Sequence, residues 1–117
     1  MNADAILNSI DAAAYAKDLE GRYTYANATV QRIFGADLAG ILGKDDSHFF
    51  DLDQSNALRE NDAEVIAGGS SVAREERDII KDTGEERIYF TIKSPLRDDS
   101  GAIVGLCGLS IDITDRK

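Results

Sequence analysis

The residues whose side chains could act in acid–base catalysis or bind a metal ion lie mainly in one acidic stretch near the middle of the chain. Asp45, Asp46 and the single histidine, His48, lie within four positions of one another, and Asp51 and Asp53 follow. Carboxylates beside a histidine could form an acid–base pair or bind a metal ion. No second histidine and no cysteine cluster supports a metal site, however, and adjacent carboxylates usually point in different directions. We therefore interpret the stretch as a solvated loop with helix-capping aspartates, and a small enzyme that uses His48 is a remote alternative.

The length and charge of the chain restrict its possible functions. The sequence has 117 residues, with 13 lysines and arginines against 22 aspartates and glutamates, so its net charge is −9. This length predicts one domain, and the negative charge argues against a nucleic-acid or anionic-membrane surface, which would need clustered cations. No apolar run approaches the roughly 20 residues of a membrane span, and no signal peptide opens the chain. A cytoplasmic location is expected, because the single cysteine, Cys107, also excludes an internal disulfide.

Hydrophobic spacing predicts five strands and several short helices. Two short strands flank a turn at residues 18–21, and the longest helix is expected over about residues 52–67. Three further strands are predicted over residues 71–81, 86–94 and 102–113. Helix N-caps are predicted at Asn27, Asp37 and Asp51. This order of elements indicates an α+β domain with a five-stranded antiparallel sheet.

Three hydroxyl groups, those of Tyr89, Thr91 and Ser110, lie on strands that are apolar on both faces. One interpretation is that these hydroxyls bond one another within the sheet. The other is that they line a small-ligand pocket, because such pockets place a few polar groups in an apolar wall. Cys107 lies in the middle of an apolar strand without a partner base, so we interpret its thiol as inert.

Taken together, the chain resembles a PAS domain over essentially all of its 117 residues. Several segments carry the resemblance in family-like order and spacing: Asp18–Gly21 followed by Tyr23–Asn27, then Gly40–Gly43, Ser94–Asp98 and Gly101–Gly105. The most specific segment is Asp112-Ile-Thr-Asp115-Arg-Lys117, which is similar to the family's Asp-Ile-Thr exit motif. The resemblance implies a sheet with helices on one face and a cavity between them, in a single domain that is not an enzyme.

The resemblance also implies a role as a signal-input domain attached to an output domain, such as that of a histidine kinase or a diguanylate cyclase. The domain would bind a small ligand, dimerise, or do both; a ligand-free dimerisation scaffold is the alternative. Binary patterning alone would turn Ile88, Phe90 and Ile92 toward the helices. Alignment with flavin-binding relatives instead turns Tyr89 and Thr91 toward the cavity, and we adopt that orientation. The expected ligand-binding residues are Tyr15, Tyr89, Thr91, Lys93, Leu106 and Ser110, with Lys93 near the rim, where it could pair with a ligand carboxylate or phosphate.

No coloured cofactor is expected from the resemblance. The flavin photosensor branch needs a reactive cysteine in the helical middle, and residues 44–50 contain none. The haem branch needs a histidine on the long helix, and residues 52–67 contain none. Tryptophan, a common ring partner in the flavin-redox branch, is absent from the chain. The expected occupant is therefore an unidentified, uncoloured small molecule, with no metal ion.

The outer face of the sheet is the expected dimer interface. The residues assigned to that face are Phe90, Ile92, Cys107 and Leu109, and the N-terminal stripe of Ile6, Leu7 and Ile10 is expected to cover it. An uncovered apolar strip of this kind usually marks a contact surface. The prediction is a homodimer with two-fold symmetry, formed through this face and the N-terminal segment with Ile6, Leu7 and Ile10.

The end of the chain is expected to couple the sheet to the output domain. Residues 1–11 are assigned to an N-terminal cap segment, residues 12–113 to the core, and residues 114–117 to the start of a truncated signalling helix. Asp112 breaks an apolar strand, so it should have a partner, either backbone N–H groups or a cation such as Lys17 or Arg22. Thr114 is the expected N-cap of the signalling helix.

Overall fold

The strands form one antiparallel sheet in which the first strand of the chain lies beside the last. A computed structural model describes residues 2–79 and 83–116. The strands are β1 (Ala13–Asp18), β2 (Tyr23–Ala26), β3 (Val72–Ile79), β4 (Glu86–Arg97) and β5 (Ile103–Asp112). Their order across the sheet is β2-β1-β5-β4-β3. The α+β fold with five antiparallel strands is as the sequence predicts.

The helices connect β2 to β3. They are α2 (Ala28–Phe34), α3 (Leu38–Ile41) and α4 (Leu52–Gly68), preceded at the N-terminus by α1 (Ala3–Ser9). A 3₁₀ turn, Asp46–His48, lies between α3 and α4, and a second, Thr114–Arg116, follows β5. Among residues 2–79 and 83–116, no helix has both the length and the apolar character that a bilayer span requires.

The predicted helix caps are present. The side chains of Asn27, Asp37 and Asp51 each accept a bond from a backbone N–H three residues later. Asp51 and Gln54 have the spacing of a capping box, but the Gln54 amide does not reach back to Asp51. It donates instead to the Asp78 Oδ1 at 3.1 Å, which ties the start of α4 to strand β3.

Strand boundaries differ from the prediction mainly at Pro95. Strand β4 continues through Pro95 to Arg97, whereas the sequence predicted an end at residue 94. The register explains this difference: the last β3–β4 pair is Val72 with Lys93, so beyond that point only β5 flanks β4. A proline is tolerated where a strand has a free edge, because its missing N–H is not needed there. The third strand was predicted to end at residue 81, and its last two residues, 80 and 81, lie outside the described part.

The core lies between the inner face of the sheet and α2–α4. Buried members of its main cluster are Ala13, Tyr23, Ala26, Val30, Ile41, Phe49, Phe50 and Leu58. Phe34 stacks on Phe49 with ring centroids 4.2 Å apart. The fully buried Asn27 donates to the carbonyls of Leu7 and Ala12, both at 2.9 Å, and accepts from the N–H of Ala14 at 3.0 Å. This side chain joins α1, β1 and α2.

Helix α1 does not cover the outer face in the way the sequence suggested. Its hydrogen bonds go to the corner between β2 and α2: Tyr25 donates to Asp4, and Ala28 donates to Asn8, both at 2.8 Å. Ile6 and Ile10 are 49% and 39% exposed. A seven-residue helix is too short to span from that corner across to β4, so the outer strip is not buried within one chain.

Candidate functional site

The alternation of strand β4 orients the candidate site. Tyr89, Thr91 and Lys93 are buried on the inner face, whereas Phe90 and Ile92 are each 37% exposed on the outer face. This agrees with the orientation adopted from the resemblance, and it contradicts the orientation that binary patterning alone would give. The inner face instead carries polar side chains, and Thr91 and Lys93 are hydrogen-bonded there.

A cavity of about 50 Å³ lies between this inner face and the helices, and we call it the central cavity. Its polar lining consists of Tyr15, Lys17, Tyr23, Asp46, Glu76, Asp78, Tyr89, Lys93 and Ser110. Four of the six predicted ligand-binding residues, Tyr15, Tyr89, Lys93 and Ser110, are therefore brought together. An apolar cavity of about 150 Å³ accommodates benzene, so the central cavity as it stands fits a molecule of only a few heavy atoms.

Two predicted ligand-binding residues do not line the central cavity. The Thr91 Oγ1 lies 2.9 Å from the Ser110 Oγ, so Thr91 is hydrogen-bonded to a residue of the cavity wall without lining the cavity itself. Leu106 instead faces a groove of about 310 Å³ between the β1–β2 turn and α4. Thr91 and Ser110 thus bond each other, as one interpretation of the sheet hydroxyls expected, and Ser110 also lines the central cavity.

Tyr15 can lie across the sheet because of a glycine on the neighbouring strand. Tyr15 pairs with Gly108 of β5. A Cβ added at Gly108 would lie 2.4 Å from the Tyr15 ring, closer than any real contact allows. A side chain at position 108 would therefore displace the ring from the cavity wall.

Two buried lysines and their carboxylates form an ion-pair network along one side of the central cavity. The Lys17 Nζ lies 2.5 Å from the Asp46 Oδ2 and 2.7 Å from the Asp62 Oδ2. The Lys93 Nζ lies 2.9 Å from the Asp62 Oδ1 and 3.2 Å from the Glu76 Oε1. The network thus connects β1, β3 and β4 to the 3₁₀ turn and to α4, and its lysines are both nearly fully buried.

The carboxylates keep both lysines charged. Burial by itself lowers the pKa of Lys17, but Asp46 and Asp62 outweigh it, so the pKa lies above its ordinary value. The pKa of Lys93 is raised in the same way, with burial opposing Asp62 and Glu76. A buried ammonium group is stable only with such partners.

Glu76 and Asp78 present acceptor groups to the cavity. The Glu76 side chain is 7% exposed, and its Oε1 makes no well-aligned hydrogen bond within the described residues although the Lys93 ammonium is near. Burial, and then the neighbouring Glu76, raises the pKa of Asp78 to about 7. Burial also raises the pKa of Tyr89 to about 12, so this phenol keeps its proton at neutral pH.

The sequence analysis was wrong about part of the acidic stretch. Asp46 is buried, and besides Lys17 it accepts a bond of 2.5 Å from the Tyr23 hydroxyl. Lys93 is not at the rim, because it is buried, and its ammonium is paired with Asp62 and Glu76. His48 is exposed and does not line the central cavity. No cluster of metal-ligating side chains occurs in residues 2–79 and 83–116.

One signal for the network was present in the sequence. Asp62 lies four residues after Leu58 and three before Val65, on the face of α4 that those apolar residues define. A carboxylate on a buried helical face requires a partner. No comparable pattern marked Lys17, whose partners lie 29 and 45 positions away.

A larger groove, of about 500 Å³, adjoins the central cavity at the end of β5. Ala13, Ile33, Tyr89 and Ser110 line both spaces, and Asp112 lines the groove. We call it the mouth groove, because it offers a route to the cavity past those four residues.

The exit from β5 is held by Asp112, which bonds a backbone N–H, as one of the two expectations had it, and a cation other than the two suggested. The Asp112 Oδ2 lies 2.6 Å from the Arg87 Nη2, and its Oδ1 accepts from the Thr114 N–H at 2.9 Å. The expected cations are occupied elsewhere, Lys17 in the buried network and Arg22 beside Asp18 and Glu20. Burial alone would raise the pKa of Asp112, but the bonds from Thr114 and Arg87 outweigh it and hold the pKa below its ordinary value.

The Thr114 side chain is hydrogen-bonded to strand β4 and does not cap an α-helix. Its Oγ1 accepts from the Ile88 N–H at 2.9 Å, and residues Thr114–Arg116 form a 3₁₀ turn instead of an α-helical one. Lys117, also assigned to the signalling helix, lies outside the described residues. The exit is nonetheless a bonded joint between β4, β5 and the chain that follows.

The fold is an α+β domain with helices on one face of a five-stranded antiparallel sheet and a cavity between the two layers. A family profile described as the PAS fold matches residues 7–117, and the chain belongs to this family. It is 37% identical over 113 residues to a diguanylate cyclase of Vibrio cholerae, covering 96% of this chain and 35% of that protein. It is 36% identical over 103 residues to the methanogenesis regulatory histidine kinase FilI of Methanothrix harundinacea, covering 88% of this chain and 11% of FilI.

The same fold occurs in a solved structure of VqmA from Vibrio cholerae in complex with ligand and DNA. The TM-score is 0.84 at 24% identity, over 95% of this chain and 50% of the VqmA chain. At this identity the similarity concerns the fold alone. The chain spans about a third and a ninth of the length of the two signalling relatives, so most of each relative lies outside the matched region.

Proposed function

We propose that this chain is the signal-input domain of a larger cytoplasmic regulator, and that it binds a small, uncoloured molecule in the central cavity. The observation that carries the proposal is the cavity itself, lined by Tyr15, Tyr89, Lys93 and Ser110 between the sheet and the helices. The lining combines polar groups, mostly from the sheet, with apolar side chains of α2 and α4, and small-molecule sites use apolar contacts together with polar groups that orient the ligand. The output would be that of a histidine kinase or a diguanylate cyclase, as in the two relatives.

The signal would leave through Asp112. This residue lines the mouth groove that continues from the cavity, and it also bonds Thr114 at the exit. Ligand-dependent movement of Tyr89 or Ser110 would therefore change the surroundings of the joint. A joint held by several hydrogen bonds transmits a small displacement better than a free chain end.

Nucleic-acid binding is not part of the proposal. The VqmA complex contains DNA, but this chain matches half of the VqmA chain and has a net charge of −9. DNA-binding surfaces depend on clustered cations.

Native mass spectrometry of freshly purified protein tests the proposal. We expect the wild type to carry a small-molecule adduct, without a flavin or haem absorbance band. Ala13→Val, which extends a side chain into the cavity wall, should lose the adduct. Ala73→Val is the matched control, since Ala73 is exposed on β3, and it should keep the adduct. A wild type that is bare in every preparation, and whose melting temperature no small compound changes, would contradict ligand binding.

A dimerisation scaffold is the second candidate. It is favoured by the exposed apolar strip of Phe90, Ile92 and Ile111 on the outer face, each 37–38% exposed in the single chain. Exposed strips of this kind commonly form contacts between proteins. The two candidates are compatible, because the strip and the central cavity lie on opposite faces of the sheet.

A further inference from the structure

The charges around the central cavity restrict the class of molecule it can hold. Two ammonium groups, those of Lys17 and Lys93, face the carboxylates of Asp46, Asp62 and Glu76. Asp78 adds a fourth carboxyl group, which is partly protonated at neutral pH. Both ammonium groups already have two carboxylate partners within 3.2 Å. Among the described lining residues, both cations are therefore already neutralised by carboxylates.

The groups that are left are acceptors. The buried Glu76 Oε1 lacks a well-aligned hydrogen bond within the described residues, and Glu76 lines the cavity. Asp78 also lines it and has the Gln54 amide as its partner on one oxygen. The contact of the Glu76 Oε1 with the Lys93 Nζ, at 3.2 Å, is an ion pair without a well-aligned hydrogen bond, so a further donor would stabilise the buried oxygen. A ligand with N–H groups would provide that donor.

We infer that the ligand of the central cavity is a small cation or neutral molecule with N–H donors, such as an amidine, amine or amide, and that carboxylates and phosphates are excluded. This inference rests on the proposed function and replaces the expectation that Lys93 pairs with a ligand anion. Glu76 and Asp78 are the specificity-determining residues. A ligand anion would enter beside carboxylates that already outnumber the cations, and like charges in a desolvated site repel strongly.

A set of three nearly isosteric probes separates charge from shape. Acetamidinium, acetamide and acetate each have four heavy atoms and a planar centre, and they suit the volume of about 50 Å³. Each is titrated at constant ionic strength into ¹⁵N-labelled wild-type protein, with the backbone amides of Tyr89 and Ser110 as reporters. We expect acetamidinium to bind at least tenfold more tightly than acetate, with acetamide between them.

Two variants assign the effect to the named residue. Glu76→Gln should weaken acetamidinium binding about tenfold and reduce the preference over acetate. Glu75→Gln is the control, because strand alternation places Glu75 on the outer face, and it should bind as the wild type does. If Glu76→Gln fails to fold, Asp78→Asn provides a second test, and it should also weaken acetamidinium binding.

The outcomes also distinguish the inference from the proposed function. Preferential binding of acetate, or an anionic compound in the native mass spectrum, would overturn the inference while ligand binding stands. Equal binding of all three probes, or a full preference for acetamidinium in both Glu76→Gln and Asp78→Asn, would overturn it as well. Absence of both probe binding and a native adduct would overturn both.

Discussion

The Nζ of Lys17 on strand β1 lies 2.7 Å from the Oδ2 of Asp62 on helix α4, and both side chains are more than nine-tenths buried. The other oxygen of Asp62 bonds Lys93 on β4 at 2.9 Å. One carboxylate thereby holds two strands of the sheet to the long helix. Because these elements enclose the central cavity, the same bonds determine both the stability of the domain and the shape of the site.

Asp62→Ala should destabilise the domain by about 3 kcal/mol. Breaking a buried ion pair usually costs about 3–5 kcal/mol, and the lower end applies because each lysine keeps one other carboxylate. Urea denaturation measures the change. Glu60→Ala, on the exposed side of α4, is the control and should alter stability by no more than about 0.5 kcal/mol. Equal midpoints for the two variants would show that the network adds nothing.

Asp78→Asn should remove part of the pH dependence of stability. The folded-state pKa of Asp78 is raised to about 7 from its ordinary value of 3.8, so the folded protein holds this proton more tightly than the unfolded chain does. The stabilisation from that proton is complete below about pH 4 and is lost as the pH rises to about 7. Since Asp78 is partly exposed, the loss should be about 1–3 kcal/mol.

Urea denaturation at pH 5 and pH 8 measures this difference. Asp78→Asn should gain stability relative to the wild type between these two values, because the amide has no proton to lose. Asp99→Asn, in the exposed turn between β4 and β5, should follow the wild type. A constant difference between Asp78→Asn and the wild type at both pH values would mean that Asp78 is not the group responsible.

Asp112→Ala should cost the isolated domain only about 1–2 kcal/mol, the usual loss for a cap or a charged hydrogen bond. In the full-length regulator this substitution should leave ligand affinity unchanged but abolish the effect of the ligand on output activity, because the bonds between Asp112 and Thr114 are lost. Ligand affinity and output activity are measured side by side, with Asp99→Ala as the control. Normal regulation in the Asp112 variant would show that the joint does not transmit the signal.

Ile92→Asp should convert a homodimer into a folded monomer. Ile92 lies at the centre of the exposed outer strip, beside Leu109 of β5, and a buried unpaired carboxylate would oppose association. Light scattering measures the mass, and circular dichroism checks the fold. Leu52→Asp, at an exposed position on α4, should leave the mass unchanged. A wild type that is monomeric at high micromolar concentration would refute the predicted interface.

The sequence predicted the fold well because local signals determine most of it. Asparagine and aspartate caps, glycine turns and the alternation of β4 each depend on neighbouring residues. The resemblance then oriented β4 and β5, and Tyr89 and Ser110 line the central cavity as that orientation implies.

The ion-pair network could not be predicted in the same way. Lys17 and Asp62 are 45 positions apart, and their contact depends on how α4 crosses the sheet. The expected roles of Lys93 and Asp46 were wrong for this reason: each was judged by its neighbours in sequence, whereas its partner comes from another element.

A high-resolution crystal structure of freshly purified wild-type protein tests the central claim most directly. We predict electron density for a small non-protein molecule in the central cavity, with an N–H donor within hydrogen-bond distance of the Glu76 or Asp78 carboxylate. Tyr15, Tyr89 and Ser110 should face it. A cavity filled by the protein's own side chains, or a bound molecule whose carboxylate or phosphate contacts Lys93, would contradict the account.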